Sequence, residues 1–270
     1  MENINPERRR FSHIFLRFLS AAAAIIILSG CCAAAPQHTV SQVSTIDALL
    51  AGVYRGHVPL RHLLAMGDTG IGTFDNLDGE MIIMNGAVYQ IKADGKVYLP
   101  DLNINTPFAA VVNFKADKTF ALPPGIDFKG LTAVIDKEAA NGNLFCAVVI
   151  HGTFSKMKTR SVPAQQEPFK PLAEVTKNQP VFNLNNVSGT VIGFRLPPFV
   201  RGINVPGYHL HFLSDDRKSG GHILDFELSA GTAELCICDK FFMLLPGNEK
   251  MFGSADLSKD RSAELNKAEK

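Results

Sequence analysis

The sequence predicts an α+β fold in which two β-sheet-rich subdomains of mixed or antiparallel strands carry a few helices. Short apolar segments alternate along the chain with hairpin-type turn dipeptides such as Asp78-Gly79, Asn85-Gly86 and Asp94-Gly95. Segments in which apolar residues recur with helical spacing are few and short. The length of 270 residues is enough for one large domain or two small ones with a real core.

The amino terminus has the pattern of a lipoprotein-type signal peptide over residues 1–30. Four arginines between Arg8 and Arg17 precede an apolar run, Ala21 to Leu28, that is too short to remain as a membrane span. The following Leu28-Ser29-Gly30-Cys31 resembles a bacterial lipoprotein cleavage site. Lipidation of Cys31 would anchor an exported protein in the periplasm or cell envelope. Ordinary cleavage after Ala33-Ala34-Ala35 would instead release a soluble exported protein.

Residues 31–44 are predicted to be a tether and residues 45–270 the folded domain. Residues 45–165 form its β-rich N-terminal part, and residues 166–270 form its metal-binding C-terminal part. Helices are expected from Thr45 to Tyr54, from Val58 to Met66 and from Phe128 to Ala140, with Thr45 and Asp127 as caps. The predicted strands are Gly70 to Phe74, Glu80 to Met84, Ala87 to Lys92, Lys96 to Leu99, Ala109 to Phe114, Leu144 to Phe154, Lys156 to Val162, Val181 to Leu184, Gly189 to Leu196, Tyr208 to Leu213, His222 to Leu228 and Thr232 to Cys238.

The charge of the chain indicates which classes of partner to expect, and the spacing of its cysteines indicates whether they form disulfides. The chain has 27 basic and 26 acidic residues, and no basic run appears beyond residue 30, so no nucleic-acid partner is expected. Cys236 and Cys238 lie on one face of a predicted strand, where residues two apart do not offer disulfide geometry. A buried structural pair is the favoured interpretation of these cysteines, and a soft metal site is the alternative.

Three histidines near the C-terminus are candidates for a metal site. On the predicted strand within Gly207–Phe212, alternation places His209 and His211 on the same face. A hairpin turn at Asp215-Asp216 would return His222 beside them. Three imidazoles around one point leave a fourth position for water or substrate, which is typical of catalytic zinc. The alternative is a polar sheet face whose histidines are hydrogen-bonded to carboxylates.

The chain from Thr45 to Lys270 resembles the alpha-acetolactate decarboxylase family. The resemblance rests on four segments that occur in the family's order and spacing: Gly70–Glu80, Lys158–Val162, Gly207–Phe212 and Ser219–His222.

The resemblance implies a Zn²⁺ cofactor held by His209, His211 and His222. It also implies that Glu80 and Arg160 reach the same cavity, together with a carboxylate from the C-terminal tail. Glu269 fits that tail position best, and Glu264 is the alternative. A homodimer is implied as well.

The implied reaction is decarboxylation of the small molecule 2-acetolactate to acetoin and CO₂. Zinc would chelate the substrate's hydroxyl and ketone oxygens and stabilise an enediolate as a Lewis acid. Arg160 would orient the substrate's carboxylate or oxyanion, and Glu80 would deliver a proton to carbon.

Two other functions stay open: another three-histidine zinc lyase or hydratase, and a non-catalytic metal-binding envelope lipoprotein. Without the resemblance, Glu80 and Arg160 would be interpreted as ordinary solvent-exposed strand residues.

Overall fold

Fifteen strands and six helices make up the regular structure of residues 37–269, which the computed structural model describes. The predicted signal peptide and the predicted lipidation site, Cys31, lie outside this range. The helices are α1 (Ile46–Leu50), α2 (Leu60–Leu64), α3 (Phe128–Ala139), α4 (Leu172–Val175), α5 (Lys250–Ser254) and α6 (Ser262–Glu269). The strands are β1 (Thr39–Val43), β2 (Val58–Pro59), β3 (Thr69–Thr73), β4 (Glu80–Met84), β5 (Ala87–Ile91), β6 (Val97–Tyr98), β7 (Asn105–Thr106), β8 (Ala109–Val112), β9 (Lys118–Leu122), β10 (Ile126–Asp127), β11 (Phe145–Arg160), β12 (Val181–Leu196), β13 (Gly207–Ser214), β14 (Gly220–Cys238) and β15 (Lys240–Leu244). No helix within the described range is long and apolar enough to cross a membrane.

The first sheet has seven strands in the order β15-β1-β8-β3-β4-β5-β6. Its neighbours are antiparallel except β1 and β15, which run parallel with Thr39 opposite Lys240. The turn predicted at Asn85-Gly86 joins β4 to β5, and both residues have positive φ, 51° and 76°. Positive φ at both central residues is what a tight two-residue hairpin requires, so this turn is confirmed.

The second sheet is built on three long antiparallel strands, β11 and β12 of 16 residues each and β14 of 19 residues. The strand order is β10-β14-β11-β12-β13, and β9 also pairs with β14. β13 pairs in addition with the first residues of β14, so the hydrogen-bonded ladder closes on itself at that end. The start of β14 therefore has a paired neighbour on each side, β11 and β13.

Apolar side chains pack on both faces of each sheet. Ile82 of the first sheet packs with Val149 and Ile192 of the second in the layer between the sheets. Helix α3 covers the outer face of the second sheet, and α2 belongs to the cluster on the outer face of the first. A further cluster gathers α1, α4 and α6. The α+β architecture predicted from the sequence is confirmed.

The predicted tether is wrong for its last residues, because Thr39–Val43 form the buried strand β1 between β8 and β15. Because polar side chains separate its valines, the sequence did not predict a buried strand there. Inside the structure, Gln42 Nε2 donates hydrogen bonds to the carbonyl oxygens of Ser44 (2.7 Å) and Ile203 (2.8 Å). A buried amide is tolerated when its hydrogen bonds are made internally.

The predicted division of the domain at residue 165 does not follow the sheets. β11 precedes that point but lies in the second sheet, whereas β15 near the C-terminus lies in the first. Several predicted strands are also parts of longer ones. Val181 to Leu184 and Gly189 to Leu196, for example, are one strand, β12, whose first half is mostly exposed and includes the polar residues Asn185 and Asn186 between the two predicted segments.

Candidate active site

The three candidate histidines converge as the hairpin prediction requires. His209 and His211 lie on β13, His222 lies on β14, and His211 and His222 are direct cross-strand partners. The ring centroids are 5.0 to 5.4 Å apart, and one ligand nitrogen from each ring lies within 4.8 Å of the others. All three rings are buried. The neighbours Leu210 and Phe212 point into the apolar cluster under α3, as strand alternation predicts.

The first sheet orients one of these rings. His211 Nδ1 lies 2.9 Å from the carbonyl oxygen of Met81 on β4. Because a carbonyl oxygen only accepts, Nδ1 carries the proton and Nε2 keeps a free lone pair. A backbone carbonyl behind a histidine is the usual support of a metal ligand, since it fixes both the tautomer and the ring orientation.

The environment keeps the imidazoles neutral. Burial, and secondarily the charge of Arg160, lowers the pKa of His209 to about 3. Burial also holds the pKa of His211 and of His222 well below the ordinary histidine value. Neutral imidazole is the form that binds a metal ion.

Glu80, Arg160 and Glu269 line the same cavity as His209 and His222. Glu80 Oε2 lies 3.5 Å from His211 Nε2. Glu269 Oε2 lies 3.6 Å from His209 Nε2, 3.7 Å from His222 Nδ1 and 3.7 Å from the Arg160 guanidinium. The reading of Glu80 and Arg160 as solvent-exposed residues is wrong, because they are only 8% and 3% exposed.

Three buried polar atoms of the site have no hydrogen-bond partner among residues 37–269: His211 Nε2, Glu269 Oε2 and Arg160 Nε. A buried donor or acceptor without a partner costs roughly 1–3 kcal/mol, so three unpaired atoms in one site call for an explanation. The lone pair of His211 Nε2 also faces the Glu80 carboxyl oxygen. A proton or a cation between these two atoms would stabilise the arrangement. Neutral nitrogens and carboxylate oxygens are the donor set that zinc accepts, so the residues present fit a metal ion.

The two carboxyl groups hold protons more tightly than ordinary glutamates. Burial raises the pKa of Glu80 to about 8, although Arg160 opposes the shift and Glu269 adds to it. Burial also raises the pKa of Glu269, again opposed by Arg160. A carboxyl group with a pKa near neutrality can serve as a general acid.

Arg160 reaches the cavity because of an irregularity in β14. Lys158 pairs with Asp225, but Thr159 pairs with Ile223, so Leu224 is an extra residue in the ladder. Bulges of this kind re-aim side chains next to active sites. The bulge brings Arg160 directly opposite His222, where Gln179 Oε1 accepts a hydrogen bond of 2.5 Å from the guanidinium.

Glu269, the preferred of the two candidate glutamates from the C-terminal tail, is the one that reaches the cavity. It lies at the end of α6, whose Leu265 and Ala268 pack into the cluster with α1 and α4. The alternative, Glu264, is instead paired with Arg261 at 2.9 Å.

Several features of the site were not identified from the sequence. They are the Met81 carbonyl, Gln179, and an apolar wall formed by Ile46, Leu49, Leu77, Phe108, Val162 and Leu172. No local pattern distinguishes these residues from ordinary core and loop positions, since their role comes from the way distant segments meet.

A buried group of three neutral imidazoles beside a cavity lined by two carboxyl groups and a guanidinium is typical of an enzyme that acts on a small polar substrate. Residues 40–259 match the alpha-acetolactate decarboxylase family. The chain therefore belongs to that family, and it is a carboxy-lyase. The matched segment ends before α6, so Glu269 lies beyond it.

Individual relatives agree with this assignment. An alpha-acetolactate decarboxylase of Methanosarcina mazei is 48% identical over 229 residues, which cover 85% of this chain and 79% of that protein. The Methylococcus capsulatus protein of the same name is 40% identical, covering 86% of this chain and 89% of its own length. The crystal structure of the Bacillus subtilis strain 168 alpha-acetolactate decarboxylase superposes with a TM-score of 0.83 at 36% identity, covering 86% of this chain and 99% of that one.

We expect Gly221→Ala to disrupt the site. Gly221 has φ of +130°, and an added Cβ would lie 2.4 Å from the carbonyl oxygen of Arg160. The substitution should therefore push β14 away from β11 and weaken metal binding and activity together. Metal affinity by competition with a chelator and the free energy of unfolding in urea measure both effects.

Gly86→Ala is the matched control. Gly86 also has positive φ, +76°, but no atom of the described residues lies within 4 Å of its added Cβ. It should show only the backbone penalty of roughly 1 kcal/mol and keep its metal affinity. Equal metal affinity in the two variants would contradict the steric argument.

Proposed function

We propose that this protein catalyses the decarboxylation of 2-acetolactate to acetoin and CO₂ with a zinc ion bound by His209, His211 and His222. The observation that carries the proposal is that these three histidines form one group, and that two of them, His209 and His222, line one cavity with Glu80 and Arg160 in a member of the alpha-acetolactate decarboxylase family.

The metal would supply Lewis-acid stabilisation of the negative charge that develops on substrate oxygens. Its proposed ligands are the nitrogens that face the two carboxyl groups: Nε2 of His209, Nε2 of His211 and Nδ1 of His222. The Glu269 carboxylate lies close enough to two of these nitrogens to contribute to the same centre.

Arg160 is suited to bind the substrate's carboxylate or oxyanion. Gln179 accepts a hydrogen bond from one of its terminal nitrogens, while Nε has no partner in the part of the chain that the structure describes. A buried guanidinium is planar and always charged, so its free donors can fix an anionic group in one orientation.

Glu80 is proposed to complete the reaction by protonating carbon. When CO₂ leaves, the electron pair of the broken C–C bond stays on the substrate, and one proton must be added to give acetoin. The buried Glu80 carboxyl, with its raised pKa, can hold that proton near neutral pH. Solvent then restores the proton to Glu80 before the next turnover.

The apolar wall formed by α1, Leu77, Phe108, Val162 and Leu172 is suited to the methyl groups of the substrate. It also limits the access of water to the cavity. A low local polarity strengthens the interactions of Arg160 and of the metal with developing charge.

The first test combines metal content with product formation. We expect one zinc ion at the histidine site and acetoin release from racemic acetolactate in the wild-type protein. His211→Ala should lose both that zinc ion and the activity, because the ring provides the Nε2 ligand. Zinc bound at this site without acetoin formation would contradict the proposed substrate, and would favour another lyase or hydratase reaction or a non-catalytic role.

Glu80→Gln should keep the metal but lose turnover. The amide has nearly the same shape and cannot supply the proton, so kcat should fall by about 10²–10⁴-fold. Zinc content and acetoin formation in the same preparation are the measurements. Glu264→Gln is the matched control, because it alters a glutamate of α6 that pairs with Arg261 outside the cavity. A full rate in Glu80→Gln would exclude the proton role.

We also propose that the enzyme is exported and anchored through lipid on Cys31, and that it is a homodimer. The support for export is the signal-like sequence of residues 1–31, and the support for the dimer is family resemblance. The intact mass of the protein from a membrane fraction should show the lipid, which Cys31→Ala should lack. A wild-type mass that starts after Ala35 without lipid would indicate the soluble exported form.

A further inference from the structure

A second group of metal-ligand side chains lies outside the active-site cavity. His38, Asp117 and Cys236 each offer one ligand atom, and these atoms lie within 4.8 Å of one another. They come from three separate segments of the chain. His38 precedes β1, Asp117 precedes β9, and Cys236 lies near the end of β14. The group sits where the chain leaves the second sheet after Cys238 and enters the first sheet at Lys240.

Two of these side chains are held by the backbone next to the third. His38 Nδ1 lies 2.9 Å from the carbonyl oxygen of Ile237, and Asp117 Oδ2 accepts a 2.7 Å hydrogen bond from the Ile237 amide. The backbone of His38 accepts a further hydrogen bond from the amide of Lys240. The backbone of Ile237, the residue that follows Cys236, thus holds both side chains in place.

The His38 contact also sets the state of the ring. A carbonyl oxygen only accepts, so Nδ1 carries the proton and Nε2 keeps a lone pair. His211 in the active site has the same kind of contact, with the Met81 carbonyl. A backbone carbonyl bound to one ring nitrogen is a common support for a histidine that binds metal through the other.

The charges of the group are suited to a cation. Asp117 Oδ2 lies 3.6 Å from His38 Nδ1, and no lysine or arginine among residues 37–269 lies within ion-pair distance of Asp117. The Cys236 thiol is buried, whereas the side chains of His38 and Asp117 are about one third exposed, at 32% and 35%. A cation could therefore enter from solvent past His38 and Asp117 and reach the buried sulfur of Cys236.

The donor atoms indicate which cation. Imidazole nitrogen, carboxylate oxygen and thiolate sulfur together are typical ligands of Zn²⁺, while Mg²⁺ and Ca²⁺ prefer oxygen alone. A second thiol, Cys238, lies 3.8 Å from Cys236 Sγ and can support the ligand sulfur. A purely structural role explains the hydrogen bonds of His38 and Asp117 to Ile237. It does not require a thiol at residue 236.

We propose that His38, Asp117 and Cys236 form a second zinc site that ties the start of β1 to the junction between β14 and β15. The bound ion would join the two sheets near the end of β14, whereas His222 of the active site lies at its start. Its role is structural, so the reaction should not depend on Cys236.

Cobalt substitution tests this site without relying on activity. The untagged protein is freed of metal and titrated with Co²⁺ while its near-ultraviolet absorption is recorded. A thiolate ligand gives a sulfur-to-cobalt charge-transfer band, whereas the three active-site imidazoles give none. We expect the band in the wild-type protein and in His211→Ala, and its loss in Cys236→Ala. Cys236→Ala should still bind Co²⁺ at the histidine site and, with zinc, should still form acetoin.

Controls separate this cluster from other thiols. Cys146→Ala should keep the band, because that buried cysteine is not part of the group. If Cys236→Ala does not fold, His38→Ala and Asp117→Asn replace it, since both residues are partly exposed. Each should weaken cobalt binding at the thiolate site by at least about tenfold, on the scale seen for altered metal-site contacts. No band in the wild-type protein, or a band that persists unchanged in these variants, would overturn the proposal.

Discussion

The active site depends on the register of three paired strands at one end of the second sheet. Arg160 of β11, His222 of β14 and His211 of β13 are successive cross-strand partners. Directly opposite residues place their Cβ atoms about 5 Å apart on the same face, so the pairing alone assembles the guanidinium and two imidazoles. A slip of one residue would turn these side chains to the opposite face. The closed ladder formed by β11 to β14 resists such a slip, because β14 is held on both sides.

The first sheet supplies further contacts to one of the histidines that this register brings together. β4 contributes the Glu80 carboxyl and the adjacent Met81 carbonyl, which together contact both nitrogens of His211. The two sheets pack against each other through an apolar layer, so this contact is buried and water does not compete for it. The packing of the sheets therefore sets the protonation of the site as well as its shape. Burial is the largest cause of every pKa shift found in it.

Local patterns predicted the histidines but not their surroundings. Strand alternation and a turn dipeptide were sufficient to bring His209, His211 and His222 together, since both are properties of neighbouring residues. The residues around Glu80 and Arg160 favoured exposure, and only the family resemblance indicated otherwise. Their burial comes from the opposite sheet and from the bulge at Leu224, which alternation cannot reveal. β1 was missed for a related reason, because the buried Gln42 side chain is hydrogen-bonded to Ile203 and Asn204, which lie far along the chain.

The position of Glu269 at the end of α6 has a consequence for the fraction of molecules that are competent at any moment. This carboxylate contacts two histidines and the arginine. Its helix has only eight residues, too few to be stable alone in water. The packing of Leu265 and Ala268 against α1 and α4 therefore holds the helix in place. Local detachment of α6 would remove the carboxylate from all three partners at once, so the stability of this one docking contact sets the share of complete sites.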